Sequence, residues 1–336
     1  MKIIIPMAGW GSRLRPHTLT IPKPMVPIAG KPIVQRLVEG LAQSIDEKIE
    51  EINFVIRKEF GIETEEKLKE VANALGTKCI ISYQDSPEGT AHAIYCAKES
   101  LSGNVIVAFA DTLFKTNFKI DASKDGVIWV NKVADPKAFG VVKLNADNTI
   151  TDFIEKPQTF VSDLAIIGIY YFKDGNALKT EIEYLLTNDI REKGEYQLTN
   201  ALENLKQKGA KFVPGEVEEW LDCGNKAACI YANERVLENI LEKEELRYAK
   251  NFKNSLIIEP CFIGSDVVIE NSIIGPHVSI GKACTIKNSI VKNSIIQTQT
   301  IINGAILDEA MIGNNAKVHS KAKDYSLGDY SSITND

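Results

Sequence analysis

The chain lacks an excess of positive charge, closely paired cysteines and any long apolar run, and each absence removes a class of function. Its 39 Lys and Arg are outnumbered by 45 Asp and Glu, for a formal net charge of −6. Non-specific DNA or RNA binding rests on neutralising phosphates with Lys and Arg. A general nucleic-acid surface is therefore excluded, and any phosphate site must be local. No segment is long enough to span a bilayer, so no membrane partner is expected. The first apolar run, Met1 to Ile5, stops at Pro6 without the longer stretch and cleavage site of a signal peptide. The six cysteines (Cys79, Cys96, Cys223, Cys229, Cys261, Cys284) are scattered without the spacing of a zinc or redox motif. Reduced thiols in a cytoplasmic protein are the expectation.

What remains is a soluble globular composition, 44% apolar and 25% charged. At 336 residues and roughly 150 per domain, two domains are expected. The first part alternates strand and helix periods. A strand at Lys2–Pro6 leads into a Gly- and Pro-rich loop, and a helix after Pro32 carries Val34, Leu37, Val38 and Leu41 on one face. Ile52–Ile56, Cys79–Tyr83 and Val105–Ala110 read as further strands, the last two as buried ones, with intervening helices through Leu68, Val71, Ala72 and Leu75 and from Ala91 to Lys98. This order predicts an α/β fold with a Rossmann-like, mostly parallel sheet flanked by helices. Ligands in such sheets sit beyond the carboxyl ends of the strands. From Gly126 to about Asp222 more numerous strands predict an insertion that walls one side of the pocket, and a charged helix from Lys226 to about Arg247 leads out of it.

Beyond it, aliphatic residues recur every five or six positions, including Ile257, Ile263, Ile269, Ile274, Ile280, Ile286, Val291 and Ile296. So short a period predicts a solenoid, here a small left-handed parallel β-helix of hexapeptide type. Gly264, Gly275, Gly281 and Gly313, with Asn271, Asn288, Asn293 and Asn303, fall where corners can require left-handed backbone. The expected domains are residues 1–250 and 251–336.

The richest chemistry lies in the first loop, Pro6-Met7-Ala8-Gly9-Trp10-Gly11-Ser12-Arg13-Leu14-Arg15-Pro16, followed by Pro22-Lys23-Pro24. Glycines let backbone N–H groups point at an anion, and Arg13 and Lys23 supply the positive charge that a triphosphate needs. A dinucleotide fingerprint would need a third glycine opening a helix, where Arg13, Leu14 and Arg15 stand. A P-loop is also excluded, because Gly30-Lys31 has neither the upstream glycine nor the following hydroxyl.

With Gln84, Pro87-Glu88-Gly89-Thr90-Ala91, Phe109-Ala110-Asp111, Phe139-Gly140-Val141-Val142, Glu155-Lys156-Pro157 and Trp220-Leu221-Asp222-Cys223-Gly224 in this order, the chain resembles the sugar nucleotidylyltransferases over nearly its whole length. The resemblance implies transfer of a nucleoside monophosphate from an NTP to a sugar 1-phosphate, with release of pyrophosphate. It places the nucleotide on Ala8, Gly9, Gly11, Ser12, Arg13, Gln84, Gly89 and Thr90, and Mg²⁺ on Asp111 and Asp222. It places the sugar phosphate on Gly140, Glu155, Lys156, Gly168 and Lys193, and gives the catalytic charges to Arg13, Lys23 and Lys156. Three positions depart from the family pattern: Trp10 where a glycine is common, Phe139 for a tyrosine, and Lys193 for an arginine whose fork a lysine lacks. His17 and Cys223 are given no role.

The favoured substrates are dTTP and glucose 1-phosphate. A mannose-1-phosphate guanylyltransferase and a bifunctional nucleotidyl/acyltransferase, with His277 or His319 as base, are the alternatives. A non-enzymatic nucleotide-sugar binder is disfavoured by the intact charged set. The flat aliphatic faces of the tail imply a homo-oligomer.

Overall fold

The computed structural model describes residues 1–116, 119–242, 252–321 and 326–332. By its internal contacts the chain divides into two compact units, Met1–Pro27 with Lys31–Ala232, and Ile28–Gly30 with Asn233–Asp336. The end of the exit helix near Arg247 and the expected boundary at residues 250 and 251 lie outside the described residues.

The first unit is built on nine strands: β1 (Lys2–Pro6), β2 (Glu51–Ile56), β3 (Lys78–Tyr83), β4 (Val105–Ala108), and, after a short β5 (Thr112–Lys115) that stands apart, β6 (Gly126–Lys132), β7 (Gly140–Leu144), β8 (Ile150–Glu155), β9 (Leu164–Phe172) and β10 (Phe212–Glu216). The strand order is β8-β7-β9-β4-β1-β2-β3, with β6 on β9 and β10 on β6. β1 lies between β2 and β4, parallel to both, and Ile3, Ile4 and Ile5 are fully buried. A strand covered on both faces must be apolar throughout, which is why it reads as a continuous run. β9 runs antiparallel to β4, β6 and β7, so the sheet is mixed: β3, β2, β1 and β4 form one parallel run, and β10 joins β6 in parallel. Around it lie α1 (Ile33–Ser44), α2 (Gly61–Ala74), α3 (Thr90–Tyr95), α4 (Gly175–Thr187) and α5 (Leu198–Gln207).

Two readings change. The strand expected to be buried at Cys79–Tyr83 is the sheet edge and only half-buried, since among the described residues no neighbour pairs beyond it. Also, β5 pairs antiparallel with β11 (Glu219–Asp222), and neither was expected, because four-residue strands holding charged residues show no periodicity. α6 (Lys226–Glu242) follows.

The second unit is a three-faced coil whose chain visits three parallel sheets in turn. Phe252 aligns with Ile269, Ile269 with Ile286, Ile286 with Ile302 and Ile302 with Val318, a step of 17 residues twice and then 16 twice. Ile269, Ile274, Ile280, Ile286, Val291, Ile296 and Ile302 fill its interior. One corner carries an amide ladder in which Asn254 donates to Asn271 (3.0 Å), Asn271 to Asn288 (3.2 Å) and Asn288 to Asn303 (2.9 Å). Asn271, Asn288 and Asn293 hold positive φ as expected, but at the last rung Gly304 takes it in place of Asn303. Of Gly264, Gly275, Gly281 and Gly313, the glycines expected at corners, only Gly275 has positive φ. Gly264 and Gly281 are small for another reason: a Cβ on either would lie 2.8 Å from a backbone nitrogen of the adjacent coil.

Candidate active site

The site forms where β1, β4 and the β5/β11 pair end together. After β1 the chain enters a tight 3₁₀ turn at Ser12–Leu14, with Gly11 at φ +62°. Gly11 answers to two constraints, its left-handed backbone and the Lys23 side chain, which a Cβ would meet at 2.7 Å. Lys23, nearly buried, sends its Nζ to Asp111 Oδ2 at 2.9 Å.

Asp111 follows β4, and the β5/β11 pairing sets Asp222 opposite Thr112 while the Cys223 N–H donates to the Asp111 carbonyl at 2.9 Å. Two carboxylates thus share one wall. Burial raises the pKa of Asp222, the Asp111 charge raises it further, and Lys23, Arg13 and the Gly224 N–H act in the opposite direction. Cys223 is buried with its thiol pushed upward by the Cys229 contact and by burial, which leaves it unsuited to nucleophilic work.

Two cavities open here. The first, about 300 Å³, is lined by Gly9, Gly11, Ser12, Arg13, Lys23 and Asp111 among others. The second, about 260 Å³, is lined by Thr90, Gly140, Glu155, Lys156, Gly168 and Asp222. Arg13, Phe109 and Asp111 border both. Lys156, at φ +44°, pairs with Glu155 at 3.4 Å. Gly168 sits at φ +85° where the β9 register shifts, and its carbonyl accepts from the Phe109 N–H.

Four of the expected residues stand outside both cavities. Lys193 donates to the carbonyls of Glu155 and Lys156 at 3.1 and 2.8 Å, so its ammonium holds the Lys156 turn. The Ala8 carbonyl accepts from Arg57 at 2.7 Å. Gln84 is buried, donates to the Gly89 carbonyl at 3.3 Å and faces His92 Nδ1 at 3.1 Å. Gly89 fits under the backbone of Tyr196, which a Cβ would meet at 2.5 Å.

These features, a glycine turn with two cations beside paired carboxylates, agree with the family comparison, in which the family described as "Nucleotidyl transferase" matches residues 2–239. The chain belongs to that family. A glucose-1-phosphate thymidylyltransferase of Streptomyces antibioticus is 29% identical, covering 99% of each chain. The bifunctional protein GlmU of Methanococcus vannielii is 30% identical over 91% of this chain and 78% of its own. Among solved structures, a UDP-glucose pyrophosphorylase complexed with UDP-glucose superposes with a TM-score of 0.56 at 25% identity, covering 71% of this chain and 98% of that one.

Within this nucleotidyl transferase the structure adds residues that sequence reasoning left without a role. Trp220 lines the second cavity, its indole N–H is buried with no acceptor among the described residues, and Phe139 packs edge-on against its ring at 5.2 Å. Trp10 turns away from the cavities onto the Arg57 guanidinium, 4.7 Å from the ring, which is how a large side chain replaces the usual glycine without entering the turn. Arg191 stacks on Tyr196 at 4.0 Å and pairs with Asp189 and Glu88, so it ties the segment before α3 to the one before α5. Only the third dimension brings Glu88 and Arg191 together; nothing in their spacing announces it.

Proposed function

We propose that this nucleotidyl transferase joins an NTP to a sugar 1-phosphate, giving an NDP-sugar and pyrophosphate. The observation that carries the reading is the shared border of the two cavities. The first offers a glycine turn and two cations to a triphosphate, and the second offers a carboxylate and an ammonium to a sugar phosphate. Arg13, Phe109 and Asp111 stand where the two ligands would meet. A sugar phosphate oxygen attacks the α-phosphorus, the bond from it to the β-phosphate bridging oxygen breaks, and pyrophosphate leaves toward Arg13 and Lys23. Lys156 holds the incoming phosphate and Glu155 accepts sugar hydroxyls. Positioning and charge stabilisation carry such a reaction.

Paired carboxylates, one raised in pKa by burial and then by the charge of the other, suit a hard divalent cation. Mg²⁺ held by Asp111 and Asp222 would neutralise phosphate charge. The reading keeps catalysis in residues 1–250 and assembly in 251–336, where Leu256, Ile273, Ile290 and Ile306 stack into an exposed aliphatic stripe suited to a second copy. Six free thiols fit a reducing cytoplasm.

For the substrate pair we favour dTTP with glucose 1-phosphate. The Gln84 amide nitrogen is committed to Gly89 and His92, which leaves its oxygen to accept from a base N–H such as that of thymine. The thymidylyltransferase relative spans the whole chain. Pyrophosphate release measured over a panel of NTPs and sugar 1-phosphates should show dTTP or UTP ahead of GTP at least tenfold, about 1.4 kcal/mol, with Gln84→Ala narrowing the gap. GTP with mannose 1-phosphate as the best pair would overturn the substrate assignment, and no release from any pair would overturn the reaction.

A further inference from the structure

The second unit holds a cluster that the reaction does not use. Glu234 and Glu238 lie one turn apart on α6, on the face turned to His277 of the coil. One nitrogen of His277 and one oxygen from each glutamate lie within 4.8 Å of one another. The His277 Nε2 stands 3.5 Å from Glu238 Oε1, and Nδ1 stands 3.9 Å from Glu234 Oε1. Among the described residues no other group of three or more His, Cys, Asp or Glu side chains converges in this way.

The hydrogen-bond network decides which ring nitrogen is available. Asn293 donates its amide N–H to Asp308 at 3.0 Å, which leaves its Oδ1 facing His277 Nδ1 at 3.3 Å. An amide oxygen only accepts, so Nδ1 carries the proton in the neutral ring. Nε2 then directs a lone pair at a carboxylate oxygen. In the neutral ring two electron-rich atoms are thus held face to face, an arrangement that a second ring proton or a metal ion between them relieves.

We infer that Glu234, Glu238 and His277 bind one divalent transition ion of borderline softness, with Zn²⁺ as the best match. Imidazole with two carboxylates suits Zn²⁺, whereas Mg²⁺ prefers oxygen and water. Ligand bonds of about 2.0–2.2 Å put tetrahedral ligand atoms roughly 3.4 Å apart, close to the 3.5 Å between Nε2 and Glu238. Rotation of two half-buried glutamates closes the rest, and water completes the fourth position. The surroundings have the second layer that such sites use. Asn293 fixes the ring, and Arg235 holds the other Glu238 oxygen. The backbone beside Glu234 is pinned by fully buried Asn233, which accepts from the Ala29 N–H at 2.9 Å and the Ser279 hydroxyl at 2.6 Å and donates to the His277 carbonyl at 3.2 Å. The ion therefore clasps α6 to the coil.

The test uses the full chain, stripped with a chelator and kept in millimolar Mg²⁺ to hold the Asp111 and Asp222 carboxylates. Titration with Co²⁺, followed by its visible absorption, should saturate at one equivalent, and Zn²⁺ should displace it. Glu238→Gln and His277→Asn should each weaken binding at least tenfold, while Asp111→Asn should leave it unchanged. Asn tolerates the φ of +59° at position 277, and Glu238→Gln preserves size, so two independent variants retain the fold. Absence of a saturable signal, or a signal lost in Asp111→Asn and kept in the other two, overturns the site.

Discussion

Asp222 shows how a residue proposed for catalysis can work against stability. Its carboxylate is partly buried beside Asp111, and both burial and the like charge favour its neutral form. An acid whose folded pKa is raised favours the fold below its unfolded value, near 3.8, and that contribution disappears as pH rises through the folded value. At neutral pH the Asp222 charge therefore opposes folding. Asp222→Asn should raise the melting temperature measured without divalent ions at pH 7, with the gain shrinking as pH falls toward 4. The same change should lower turnover on the order of 10²- to 10³-fold, as for other groups that stabilise developing charge. Unchanged melting together with near-normal turnover at low Mg²⁺ would remove Asp222 from the site. Both aspartates were legible in the sequence as neighbours of strand ends. Their proximity was not, because it depends on the unexpected β5/β11 pair.

At the scale of elements, the site is held by segments that cross rather than by helices alone. The turn before α3 and the segment before α5 exchange backbone bonds, Tyr196 N to Glu88 O at 2.8 Å and Ala91 N to Tyr196 O at 2.9 Å, and Arg191 locks the pair from outside. Gly89, at φ +110° and directly beneath Tyr196, is the position where this crossing has no slack. Gly89→Ala should lower unfolding free energy by about 2–4 kcal/mol, seen as a lower denaturation midpoint, and should weaken nucleotide binding as the crossing opens. A midpoint within error of the parent would show that the two segments can part freely. The long amphipathic helices and apolar strands were readable because burial imposes its period on them. Short strands, the Arg191 clamp and the inward turn of Gln84 follow from contacts between residues far apart in the chain, and no local period records those.

At the scale of the whole molecule, the coil presents Leu256, Ile290 and Ile306 at 55, 40 and 78% exposure in one stacked row. Apolar rows of this kind mark interaction surfaces. Leu256→Lys combined with Ile306→Lys should lower the mass in solution, measured by light scattering, by half or more while turnover persists, because neither side chain belongs to a core. An unchanged mass would assign the row another purpose.

The sequence by itself determined the parallel part of the sheet, the short-period coil of parallel strands and the family. Each of these is written in local periods or in blocks of residues whose chemistry survives without coordinates. Only the tertiary structure decided that Lys23 meets Asp111, that Lys193 and Trp10 turn away from the cavities, that Trp220 lines one of them, and that His277 faces two glutamates. Those facts depend on side-chain direction and on chain segments brought together by burial, and a one-dimensional pattern carries neither.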